Sequence, residues 1–341
     1  MPIAARVIVA DRSGVCMLRE LELPDAGPGQ VLVQIDAATV EPAQLHQVIA
    51  GSDGLVLVGY AASGLVLAVG ADVVGLTAGD RCIVTPAAPA GGGEPIRERI
   101  ALEHGEETEP AELYTWATDA LVDARHVVKV PRLADKEALA SLGSSTLLAA
   151  TAVAAAGISS GDAIAVFGAG PVGLAIVALA RRAGATTIVA IDRGEKRRAI
   201  ATQLGATVVV AQGGDAGLAQ VRAATEGGVT VAFDCVYEFA AKARPGAGAL
   251  RRDGRAFAVG IPGSDEERAK LGAVAASFTG VVDAPDRALL EGVIELFASG
   301  ALSASALVTS RYTIEGVNEA VRDLENGVMV GGALLVMEPL R

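Results

Sequence analysis

The chain is 341 residues long, and at about 100–200 residues per domain that length corresponds to two domains. Apolar residues make up 51% and charged residues 20%, enough side chain for sizeable cores, which excludes wholesale disorder. A formal charge of −12 makes the chain a poor partner for a phosphate backbone or an anionic membrane, so a small molecule is the expected partner.

In chain order, residues 1–80 read as short β segments. Arg6–Ala10, Val31–Ile35 and Leu65–Val69 are strand-like, separated by Pro24, Gly27, Pro28, Gly29 and Gly79. That spacing suggests a small barrel-like β domain. Residues 86–112 change character, first Ala, Gly and Pro, then an acidic stretch, and read as a surface loop or flap. From about Pro131 the pattern becomes helical. Strands and helices then alternate: 163–167, 187–191, 208–210, 229–234 and 256–259 as strands, 173–183, 195–204 and 216–225 as helices. This alternation predicts a parallel sheet with crossover helices. Helices at 286–299 and 312–325 follow, then a strand at 333–337.

The run Ala163–Ala180 has eighteen residues without a charge, the length of a membrane span. Gly168, Gly170, Pro171 and Gly173 in its middle favour strand, glycine turn and helix instead. The N-terminal apolar run is too short for a signal peptide. Three cysteines and three histidines, no two of the six within four residues of each other, leave no disulfide framework and no paired metal spacing. A reducing cytoplasm is the expected location.

Gly168-Ala169-Gly170-Pro171-Val172-Gly173 matches G-x-G-x-x-G between a strand and a helix. The first glycine permits the tight turn, the second lets backbone amides reach a pyrophosphate, and the third lets helix and strand pack closely. An acid is expected about twenty residues further on, and Asp192 stands nineteen residues after Gly173. Its carboxylate would accept the adenosine ribose hydroxyls and repel a 2′-phosphate, favouring NAD(H) over NADP(H); the other reading of Asp192 is a helix cap. Arg193 and Arg197 stand near enough to contact the ribose or a phosphate.

The chain resembles the medium-chain dehydrogenase/reductase superfamily, the zinc alcohol dehydrogenases. The resemblance rests on GDRC (79–82), VVKVP (127–131), GAGPVGL (168–174), IDRGEKRRAIATQLGA (191–206), the run at 253–263 and RYTIEGVNEAVRDLENG (311–327). It implies an α/β fold, a Rossmann doubly wound parallel sheet inserted into a GroES-like β-barrel domain. The implied boundaries are 1–130, 131–272 and 273–341, with the active site in the cleft and a homodimer or homotetramer as the assembly. It also implies cofactor contacts from Thr146 and from Val259, Ile261 and Pro262.

The departures from that family carry the functional argument. Glu41 stands where zinc members have their first catalytic Cys, Tyr60 where they have a histidine ligand, and Leu142 in place of the third ligand. No Cys of a structural zinc lobe remains in 86–112. A catalytic zinc needs about three protein ligands, so no metal is expected. A proton donor or hydrogen bond must then replace the Lewis acid. Tyr60, His46 and Glu41 are the candidate catalytic residues. His46 matches the family's relay histidine, or is a surface histidine; Tyr60 is an active-site phenol or fills the emptied metal pocket. Trp116 and Ser144 are candidate pocket residues, Trp116 with core packing as the alternative. Family arginines for the pyrophosphate are replaced by Pro42 and about Gly331, leaving the helix terminus and backbone amides to bind it.

The expected function is zinc-independent, NAD(H)-dependent hydride transfer to or from a small carbonyl, alcohol or activated C=C compound. The alternative is a non-redox protein that keeps the fold and uses NAD as a sensor, structural ligand or transient redox cofactor.

Overall fold

Strands form where β-branched and apolar residues alternate, and the computed structural model describes residues 3–44, 54–89, 94–97, 99–132, 135–211, 214–236, 248–260 and 278–338. Two compact units result: Met1–Ser144 with Val308–Arg341, and Ser145–Leu307.

In the first unit, β1 (Ile3–Ala10) and β2 (Cys16–Leu23) form an antiparallel hairpin, with β4 (Val56–Leu57) on the other edge of β1. A second sheet is built on β3 (Gln30–Val40). Its antiparallel partners are β5 (Ala62–Val69), β7 (Asp119–Asp123) and β16 (Gly332–Val336). β6 (Arg81–Val84) and β8 (Val127–Lys129) extend the β5 side, and β15 (Val308–Thr313) lies outside β16. Because β16 pairs Ala333 with Val40, a strand near the end of the chain joins the sheet built on β3. Val7, Val9, Val31, Val33, Ile35 and Trp116 are among its buried core.

The second unit holds six parallel strands in the order β11-β10-β9-β12-β13-β14: β9 (Ala163–Phe167), β10 (Thr187–Ile191), β11 (Val208–Val210), β12 (Val229–Asp234), β13 (Leu250–Val259) and β14 (Gly280–Val282). β9, β10 and β12 are almost continuous buried apolar runs, as expected of parallel strands covered on both faces, and β13 is buried over Ala256–Val259. Helices α1 (Ser145–Ala156), α2 (Pro171–Ala183), α3 (Glu195–Gln203), α4 (Gly214–Ala224) and α5 (Leu290–Ala298) surround the sheet; α6 (Ala304–Leu307) is a single turn. Strand order reverses between β9 and β12. In open α/β sheets ligands bind at the carboxyl ends of the strands beside such a reversal.

The structure corrects two readings of the sequence. The helix expected over 312–325 begins at Val317 as α7 (Val317–Glu325), and Tyr312 lies in β15 opposite Leu335. The Val308–Thr313 segment, with β-branched and aromatic residues, is drawn into a ladder by β16. The unit boundaries fall at 144/145 and 307/308, where sequence reading put 130/131 and 272/273. Residues 138–143 form a 3-10 turn whose Gly143 carbonyl accepts from Thr85 Oγ1 at 2.7 Å, which ties them to the first unit. β14 is the sixth strand of the parallel sheet, which keeps it in the second. The charge-free run 163–180 is a strand, a turn and part of a helix, and no helix among the described residues is long and apolar enough to cross a membrane.

Candidate active site

In the second unit, β9 runs into the glycine turn and then into α2. Gly168 adopts φ +91°, a left-handed conformation that side chains other than glycine resist. A Cβ on Gly173 would lie 1.9 Å from the Gly168 carbonyl oxygen, so the helix can approach the turn only without one. A Cβ on Gly170 would meet nothing within 4 Å. That open space lies at the cap of α2, with Pro171 in the first turn, where backbone amides lack intrahelical partners and the helix dipole favours an anion. Turn, close packing and open cradle together fit a dinucleotide pyrophosphate. Val172 lies in the same first turn.

Asp192 follows β10. Its Oδ2 accepts from the Ala169 amide at 2.8 Å and its Oδ1 from the Gly194 amide at 2.7 Å. Arg197 Nη1 is 3.7 Å from Oδ2, and Arg193 is exposed. A carboxylate has about four lone-pair sites, so one on each oxygen remains for a ribose hydroxyl. Thr146, in the first turn of α1, is buried, and its Oγ1 has no hydrogen-bond partner, as expected of a hydroxyl awaiting a ligand. Val259 ends β13; Ile261 and Pro262 lie outside the described residues. Sequence reading missed Asp234. This acid ends the apolar strand β12 opposite Phe167, and burial pushes its carboxyl up to about 6. The signal was there, an acid closing an apolar strand.

In the first unit, three residues far apart in sequence meet. Tyr60 Oη donates to Glu41 Oε2 at 2.8 Å, and Ser144 Oγ donates to Glu41 Oε1 at 2.9 Å. Glu41 is 6% exposed, Tyr60 8% and Ser144 0%. Glu41 is fixed by its own backbone: its amide donates to Gln44 Oε1 at 2.6 Å, and Gln44 Nε2 donates to Thr39 Oγ1 at 3.3 Å. Tyr60 and Glu41 therefore stand together as the sequence suggested. Ser144, a candidate pocket residue, anchors the carboxylate. Of the two readings of Trp116, pocket lining and core packing, the second holds: it is fully buried and its indole N–H donates to the Thr39 carbonyl at 2.9 Å. Its bulk is what draws it inside, and the backbone carbonyl satisfies its one polar atom. His46 lies outside the described residues.

A family model described as "Alcohol dehydrogenase GroES-like domain" matches residues 27–132, and one described as "Zinc-binding dehydrogenase" matches residues 171–282. The chain belongs to the medium-chain dehydrogenase/reductase superfamily, among the zinc alcohol dehydrogenase-like proteins. It is similar to S-(hydroxymethyl)glutathione dehydrogenase of Saccharomyces cerevisiae, 29% identical over 52% of this chain; the match spans about half, 48%, of that relative. It is 27% identical to sorbitol dehydrogenase of Bacillus subtilis over 89% of each chain. Among solved structures, an alcohol dehydrogenase zinc-binding domain protein from Burkholderia ambifaria superposes with a TM-score of 0.83 at 25% identity, covering 99% of this chain and 100% of that one. The first unit is thus the GroES-like domain, and the second the Rossmann-like parallel sheet.

The superfamily's name raises the question of zinc. At the three positions matched to its catalytic ligands stand one carboxylate, one phenol and one hydrocarbon. Each oxygen of Glu41 already accepts a hydroxyl, Tyr60 donates its proton, and Leu142 is fully buried. Catalytic zinc takes three donors from Cys, His and carboxylate side chains, and this set does not fit it. Among the described residues no three His, Cys, Asp or Glu gather elsewhere as a metal cluster.

Proposed function

We propose that the chain is a zinc-independent, NAD(H)-dependent oxidoreductase of the alcohol dehydrogenase type, acting on a small alcohol or carbonyl compound. The observation that carries this reading is the hydrogen-bonded pair Tyr60–Glu41, two residues that the family resemblance matches to metal ligands, held by Ser144. Family membership, the glycine turn and the buried, unpartnered Thr146 hydroxyl support the cofactor half.

The dinucleotide, when bound, supplies the hydride acceptor or donor. Its pyrophosphate would be held by the first-turn amides of α2 and its adenosine ribose by Asp192. That carboxylate favours NAD(H), because a 2′-phosphate would meet a buried negative charge. Arg197 tempers the repulsion and sets its size.

The proton follows from the hydrogen-bond directions. Tyr60 donates to Glu41, and because a phenol oxygen both donates and accepts, we assign Tyr60 the proton of a substrate hydroxyl. As an alcohol is oxidised, its proton passes to Tyr60 Oη while the phenol's own proton passes to Glu41. In reduction both transfers reverse, and Tyr60 delivers a proton to the oxygen that gains charge. Ser144 keeps a second donor on the carboxylate throughout and so orients it. A positioned acid–base group contributes about 10²–10⁴-fold to rate. Where an activated C=C is reduced, the same phenol would polarise the conjugated carbonyl.

The test follows 340 nm absorbance with NADH over a panel of ketones and enones, using protein stripped of metal by a chelator. Turnover that persists without zinc supports the proposal. Loss of turnover on chelation, with recovery on adding zinc, would overturn it.

A further inference from the structure

The carboxyl end of β10 holds two consecutive amides of the glycine turn. Gly168 N–H donates to the Ile191 carbonyl at 2.8 Å, and Ala169 N–H donates to Asp192 Oδ2 at 2.8 Å. Ala169 is fully buried, so water cannot replace that acceptor. Gly168 carries the turn's positive φ, and the space beyond Gly170 is open. The Ala169 amide therefore sits between the residue that bends the chain and the residue that faces the cradle. The second Asp192 oxygen is occupied by the Gly194 amide at 2.7 Å, which fixes the carboxylate's plane.

We propose that Asp192 is a positioning residue for the pyrophosphate turn as well as the reader of the adenosine ribose. Ribose recognition and phosphate binding are then one mechanical unit, and cofactor preference cannot be changed at this residue without cost to affinity. This rests on the cofactor reading above. It differs from a pure ribose reader in its consequence: deleting a pure reader harms only ligands that carry ribose hydroxyls and relieves those it repels.

The experiment measures, by calorimetry, binding of NADH and of its adenosine 2′,3′-dideoxy analogue to wild type, Asp192→Ala and Asp192→Asn. Hydrogen exchange at the Ala169 amide is followed in the free proteins. The analogue has no hydroxyl for Asp192 to read. Loss of one buried hydrogen bond predicts that Asp192→Ala weakens even the analogue by about tenfold or more and speeds Ala169 exchange to a similar degree. Asn keeps one acceptor oxygen for Ala169 but turns its NH2 toward the Gly194 amide, so Asp192→Asn restores part of both and falls between Asp192→Ala and wild type. An analogue bound as tightly by Asp192→Ala as by wild type, or unchanged exchange at Ala169, overturns the inference while leaving the cofactor reading standing. Wild type that binds no NADH overturns the cofactor reading itself, and the exchange measurement still decides whether Asp192 holds the turn.

Discussion

Chemistry at the residue scale depends on which atom donates. Replacing Tyr60 by Phe removes the phenol oxygen and leaves the ring, so the fold is expected to survive. Turnover is expected to fall by about 10²–10⁴-fold, read as kcat at saturating NADH; a Tyr60→Phe variant with wild-type kcat would dismiss the relay. Glu41→Gln should fall comparably, since an amide cannot take the proton. Asp234 tests electrostatics. Burial raises its carboxyl to about 6 from 3.8. Between those values the folded chain holds a proton that the unfolded chain has released. This residue's contribution therefore favours the fold below about pH 4 and is lost as pH rises through 6. Asn keeps an acceptor for the Val236 amide, which Asp234 Oδ1 now binds at 3.2 Å. Urea midpoints of Asp234→Asn relative to wild type should thus rise between pH 4 and 7; a pH-independent difference would refute the assignment.

At the scale of elements, the strand–turn–helix at 163–183 is the tightest constraint. A side chain at Gly173 would strike the Gly168 carbonyl, a backbone atom that cannot rotate away. Gly173→Val should cost about 1–3 kcal/mol as an overpacking change and displace the helix from the turn. NADH affinity in calorimetry should drop out of proportion to the change in unfolding midpoint. The same scale explains where sequence reading failed. Val308–Thr313 carries strand propensity next to a helical pattern, and a parallel partner more than twenty residues away decided between them. The bond from Ser144 to Glu41 could not be read locally, because the two lie 103 residues apart, beyond any local periodicity. The choice between pocket and core for Trp116 stayed open for a similar reason, as its indole partner Thr39 lies 77 residues earlier, in β3.

At the scale of the whole molecule, the proposed cofactor contacts fall in Ser145–Leu307 and the proposed proton relay in the other unit. Each can fail separately. Saturating NADH should raise the melting temperature of wild type and of Tyr60→Phe alike, by about 2.7 kcal/mol of added stability at 100 times Kd. A Tyr60 variant that no longer responds to NADH would show that the two halves are not separable.

Composition and local pattern by themselves determined the acidic, ordered character, the alternating α/β half and the glycine turn with Asp192, and the family resemblance added which residues stand at positions matched to zinc ligands. These are properties of neighbouring residues, where steric limits on turns and the period of the pattern act within a few positions. Tertiary structure alone decided that Glu41, Tyr60 and Ser144 form one network, that Trp116 is core, that Asp192 also grips Ala169, and that β16 joins the sheet built on β3. Those facts depend on hydrogen bonds between segments 19 to about 300 residues apart, and such pairings follow from how strands register, which no single stretch of sequence encodes.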